Sequence, residues 1–176
     1  MSKLPKNSRT LLWLLVIFII PGVLAYLFFK NPSYLGGVET NRGVLLDPPI
    51  LIDNFKKNDK WRIAYYSPEK CDENCLGNLD KLSRVRLALG RYLYNVDAYL
   101  VVNSENNALT DGNSKILKNL SINLLKIVVM PQEKALFSNT PFYFIVSPEN
   151  YIILQYRADS QPDDLFQDIK KLVKNS

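Results

Sequence analysis

The sequence predicts an α/β domain, with elements in the order βαβ then ββα around a central mixed sheet, preceded by one N-terminal transmembrane helix. Three observations carry that expectation. Leu11–Phe29 is a run of nineteen residues without a charge. From Trp61 onward, apolar strand-length runs alternate with a helical periodicity. Near the C-terminus two strand-like runs are separated only by Ser147-Pro148-Glu149-Asn150, a connection so short that it forces an antiparallel hairpin.

The first segment, LLWLLVIFIIPGVLAYLFF, has the length that crosses a membrane, since about 20 apolar residues span a hydrocarbon core of about 30 Å. A cleaved signal peptide has a shorter apolar region, about 7–15 residues, and ends in a small-x-small site. This run ends instead in Leu27-Phe28-Phe29-Lys30, so an uncleaved anchor is expected. Pro21-Gly22, near its middle, is expected to kink it. Lys3, Lys6 and Arg9 precede the span without an acidic residue. By the positive-inside rule, residues 1–10 form a cytoplasmic tail and everything after Lys30 lies across the membrane. In a bacterium this is a single-pass inner-membrane protein with a periplasmic domain, in an oxidising compartment where disulfides persist.

The charge belongs largely to that anchor. Of the net +5, residues 1–30 contribute four Lys/Arg and no Asp/Glu, leaving 18 basic against 17 acidic residues in the remainder. The remainder lacks the cationic excess that phosphate recognition needs, so nucleic acid is not an expected partner.

Residues 31–60 are rich in Gly, Pro, Asn and Asp; 30–46 read as a linker, and the folded domain is expected over 47–176. Val44-Leu45-Leu46 and Ile50-Leu51-Ile52 allow one edge strand in this lead-in. WRIAYYS (61–67), DAYLVVNS (97–104) and NLLKIVVM (123–130) are continuous apolar runs, as in strands covered on both faces. Between the first two, Leu76, Leu79, Leu82, Val85, Leu89 and Leu93 recur every three or four positions and place one apolar stripe on a helix. A short helix is expected near Lys115–Leu120. PFYFIVSP and YIILQYRA form the hairpin, and a last helix follows with Ser160 as N-cap, Pro162 and two aspartates in its first turn, and lysines at its end.

The chain has two cysteines, Cys71 and Cys75. One turn apart at the start of a helix, they fall near the Cα separation of about 4.4–6.8 Å that a disulfide accepts. Two adjacent thiolates also suit a soft ion such as Cu(I). A helix N-terminus and Lys70 favour a thiolate at Cys71, whereas Asp72 and Glu73 disfavour it. Metal clamp, redox pair and structural staple therefore all remain open. The absence of histidine excludes a Ser/His/Asp triad. Asp53, Asp59, Asp97 and Asp111 show no metal-like spacing, and Tyr65 and Tyr66 are expected to border a docking surface beside the cysteine loop.

A strand ending in aromatic residues, a Cys-x-x-x-Cys at the start of a helix, and a late hairpin before a final helix together resemble the thioredoxin-like domain of the Sco proteins. These are membrane-anchored copper-handling factors of cytochrome c oxidase assembly. The resemblance spans roughly Asp47–Val173 and includes the single anchor. It implies that Cys71 and Cys75 are the thiolate ligands of Cu(I), or a redox pair. It places Asn139 where the family has its histidine ligand, and Pro141 where thioredoxins carry a cis-proline. It implies a respiratory oxidase subunit or another assembly factor as partner. Asp72 and Leu76 replace the family's prolines beside the cysteines. Two alternatives stand beside this reading: a non-catalytic interaction module with a structural disulfide, and a general thiol–disulfide oxidoreductase.

Overall fold

A computed structural model describes residues 6–30, 41–56, 58–104, 111–128, 136–137 and 139–175. It divides into two compact units, residues 1–40 and 41–176. Within the first, α1 (Lys6–Lys30) continues helically through Pro21. Its stretch Trp13–Lys30 is long and apolar enough to cross a membrane, and none of it is buried.

The second unit is built on a six-stranded sheet in the order β1-β6-β5-β2-β3-β4. The strands are β1 (Val44–Leu51), β2 (Trp61–Ser67), β3 (Val96–Asn103), β4 (Ile122–Ile127), β5 (Phe142–Val146) and β6 (Tyr151–Arg157). β2, β3 and β4 are parallel to one another. β5 runs antiparallel to both β2 and β6, and β1 antiparallel to β6, which makes the mixed sheet expected from the element order. The helices are α2 (Glu73–Ala88), α3 (Asp111–Asn119) and α4 (Pro162–Lys174), with a 3-10 helix over Gly90–Asn95.

The central strands are apolar without alternation because both faces are covered. Ile63 and Tyr65 of β2, with Tyr143 and Ile145 of β5, join a cluster that includes Leu79, Leu82 and Val85 of α2 and Leu165, Ile169 and Val173 of α4. The intervening Ala64, Tyr66, Phe142, Phe144 and Val146 join a second cluster with Ile52, Phe55, Leu136 and Phe137. Side chains alternate across a sheet with period two, so one apolar run feeds two cores. Tyr65 and Tyr66 are 2% and 3% exposed, so they are core residues and not the rim of a docking surface.

Several expected boundaries move. β1 begins at Val44, inside the expected linker, because its backbone pairs with β6 at Val44↔Gln155 and Leu45↔Leu154. The apolar stripe ends as α-helix at Ala88, since Gly90 takes φ 57, a left-handed conformation that suits glycine and ends a helix. Leu93 therefore lies in the 3-10 helix. The β4 run stops at Ile127, and Val129 and Met130 fall outside the described residues. Ser160 is not the cap of α4: its N–H donates to Arg157 O in the preceding turn (3.0 Å). Gln161 takes the cap position without a side-chain bond, and Pro162 opens the helix.

Candidate functional site: the Cys71–Cys75 disulfide

β2 delivers the chain to the cysteines through Pro68-Glu69-Lys70, and Ser67 Oγ donates to Glu69 O (3.1 Å) to tighten the turn. Asp72 has extended backbone geometry and is the N-cap of α2. Its Oδ1 accepts from Cys75 N (2.9 Å), and its carbonyl accepts from Leu76 N (3.0 Å). Cys71 thus sits one residue before the cap and Cys75 in the first turn. The spacing alone predicts both cysteines on the helix face; the acidic residue between them is the better cap and displaces Cys71 outward.

The two sulfurs are joined in a disulfide, with Cα atoms 5.1 Å apart. Cys71 is 8% exposed and Cys75 3%. Both belong to the core cluster beneath α2, with Tyr65 and Leu79. From the far side, Asn113 of α3 donates through Nδ2 to Cys71 O (3.1 Å). Asn113 escapes sequence reading because no motif links it to a cysteine 42 positions earlier.

Below the pair lies a tyrosine layer. Tyr65 and Tyr143 face each other in the β2–β5 register, with ring centroids 5.0 Å apart. Asn78 bridges them: its Nδ2 donates to Tyr65 OH (3.1 Å), and its carbonyl accepts from Tyr143 OH (3.3 Å). Burial raises the pKa of both phenols; the bond from Asn78 partly opposes this at Tyr65, and the charge of Asp72 adds to it there. Asp72 therefore acts electrostatically on the core below as well as on the helix end.

The segment carrying Asn139 and Pro141 leads into β5, whose Phe142 pairs with Tyr66 near the end of β2. The approach to β5 and the exit from β2 toward Cys71 therefore leave the sheet at the same end. Asn139 and Pro141 are exposed. Among the described residues the cis peptide bond is Asp47–Pro48, not the bond preceding Pro141. No group of three His, Cys, Asp or Glu side chains suited to a metal occurs among the described residues.

The chemistry open to this donor set follows. Closed, the pair offers no thiolate. Two electrons and two protons convert it to two thiols, whose thiolates are soft donors suited to Cu(I) as a cargo. With no histidine in the chain, the pair lacks the imidazole that would complete a harder copper site.

The family model described as transmembrane-like, thioredoxin-like, C-terminal domain matches residues 61–176. The chain belongs to this family. The matched region begins at β2 and holds the disulfide, the hairpin and α4. Solved structures agree on the thioredoxin-like fold. Apo Sco1 from Thermus thermophilus has a TM-score of 0.53 at 18% identity, covering 77% of this chain and 99% of that one. Copper-bound ScoI from Arabidopsis thaliana has a TM-score of 0.52 at 16% identity, covering 76% and 99%. A DsbF homologue from Corynebacterium diphtheriae has a TM-score of 0.50 at 11% identity, covering 77% and 94%. No curated protein matches the sequence. At these identities the likeness concerns the fold.

Proposed function

We propose that this thioredoxin-like family member is a membrane-anchored redox factor whose Cys71–Cys75 pair cycles between disulfide and dithiol in the assembly of cytochrome c oxidase. The observation that carries the reading is the placement of the disulfide across the start of α2, with Cys71 outside the helix and more accessible than Cys75. Cys71 is then the sulfur that meets a partner, and Cys75 resolves the mixed disulfide. The dithiol delivers two electrons and two protons to a partner's disulfide and becomes oxidised, leaving the partner with two thiols. In the same state it holds Cu(I) as cargo between two thiolates. Copper-bound ScoI, similar in fold, supports the cargo use of the pair.

Lys3, Lys6 and Arg9 before the apolar run support an orientation with the N-terminus cytoplasmic and the domain periplasmic. The partner is a respiratory oxidase subunit or another assembly factor.

A second reading rests on burial. With both cysteines buried, the bond also fits a permanent staple in an interaction module. Equilibration of the protein in graded dithiol buffers separates the two. A potential above about −300 mV supports cycling; a lower one marks a staple resistant to reduction by the glutathione pool. Copper stoichiometry on the anaerobically reduced protein tests the cargo role: one Cu(I) per chain is expected, and retention in Cys71→Ser/Cys75→Ser would overturn it.

A further inference from the structure

The far end of α2 carries a surface that the disulfide chemistry leaves unused. From Lys81 to Val96 the sequence KLSRVRLALGRYLYNV holds four Lys/Arg and no Asp/Glu, whereas the rest of the chain after Lys30 carries more acid than base. Within this stretch Arg84, Leu87, Arg91 and Tyr94 are all exposed. Tyr94, at 76%, is the most exposed large apolar side chain among the described residues of the 41–176 unit, and Leu87 follows the same pattern at 62%. Each of the four cations has a local partner: Lys81 donates to Asn78 Oδ1 (3.2 Å) and Arg86 to Val96 O (2.6 Å), Arg84 pairs with Asp80 (2.7 Å) with its side chain 77% exposed, and Arg91 stacks on Tyr92 and donates to its hydroxyl (3.0 Å). Along α2, Arg84 and Leu87 lie about 14 and about 18 Å of helix beyond Cys75.

We infer that this end of the domain binds an anionic lipid surface. Exposed arginines around one tyrosine and one leucine suit a bilayer interface, where the cations meet headgroup phosphates and the apolar side chains enter the acyl boundary. A protein partner would need a matched face of about 800 Å², whereas lipid contact gains from each side chain without shape complementarity. The inference also rests on the anchored reading of α1: a tethered domain meets the bilayer at an effective concentration in the millimolar range, so weak contacts suffice. Such contact would leave the Cys71 end of α2 free for its redox partner.

The test uses the 41–176 unit, which has its own sheet and both core clusters and so isolates this surface from α1. It is floated at low salt with vesicles of 30% phosphatidylglycerol in phosphatidylcholine and with pure phosphatidylcholine, at millimolar lipid, the concentration range that the tether supplies. Binding is expected only to the anionic vesicles. It should fall about fivefold for each of Arg84→Gln and Arg91→Gln, fall again for Leu87→Ser/Tyr94→Ser, and be unaffected by Lys126→Gln on β4. The arginine variants keep the apolar pair, so they report even if the double serine variant misfolds. No flotation, or equal loss with Lys126→Gln, overturns the inference. Since the fragment lacks α1 and the assay does not read the disulfide, failure here is distinct from failure of the redox reading.

Discussion

Asp168 of α4 and Gly43, the residue before β1, are joined across 125 positions of sequence by a buried hydrogen bond from Gly43 N to Asp168 Oδ2 (3.0 Å). The same oxygen accepts from Arg42 N (2.7 Å) and Tyr156 OH (2.8 Å), while the Arg42 guanidinium pairs with Asp163 and Asp164. Gly43 is required there because a Cβ would overlap the Tyr156 ring. Three donors on one carboxylate oxygen fix where the chain enters the sheet.

Asp168→Ala should therefore destabilise the domain by about 3 kcal/mol, the scale for hydrogen bonds to a buried charge. Hydrogen exchange should show β1 released before the central strands. Thermal melts unchanged from wild type would sink this account of the clasp.

Asn113→Ala removes the one side-chain bond described from α3 to the backbone of Cys71. A neutral hydrogen bond contributes about 1 kcal/mol, so reduction of the disulfide by dithiothreitol should accelerate by up to about fivefold with the global melting temperature little changed. Stopped-flow or quenched alkylation followed by mass spectrometry reads the rate, and an unaltered rate argues against control of the loop by α3.

Burial lifts the pKa of Tyr65, Tyr143 and Tyr156, and at Tyr156 the Asp168 carboxylate adds to that rise. An unfolded tyrosine titrates near about 10, so above that pH the folded state holds protons that the unfolded state releases. Stability should be level below about pH 10 and decline above it. Tyr143→Phe should flatten the decline seen by calorimetry above about pH 10; an identical slope would refute the assignment.

Asn139→His tests the relation between the β5 approach and the cysteines. If residue 139 occupies the position of the Sco-family ligand, the added imidazole should raise Cu(I) affinity of the reduced protein by at least about tenfold, equivalent to about 1.4 kcal/mol of binding free energy. Competition with a chromogenic chelator measures the change. No gain would count against that alignment.

The site was partly legible. Cys71 and Cys75 stood out as the chain's two cysteines, and their spacing matched a disulfide's reach. Their order relative to the helix start was not legible, because it depends on Asp72 capping Cys75 N, one local choice among several polar residues. Arg62 was hidden altogether. Inside the strand run WRIAYYS it is 0% exposed and donates to Ser147 O, Lys56 O and Asn58 Oδ1 at 2.9, 2.6 and 2.6 Å. A buried cation is tolerated only with such partners, and these come from two separate loops.

By itself the sequence determined the element order, the apolar N-terminal helix, the tight 147–150 turn and the strands destined for burial on both faces. Each of these follows from local periodicity, hydrophobic length or turn chemistry, which act over a few residues. Only the tertiary structure decided the state of the cysteine pair, the entry of β1 into the sheet beside β6, and the gathering of Gly43, Tyr156 and Asp168. Those depend on contacts between distant segments, whose closure is decided by the packing of the whole domain.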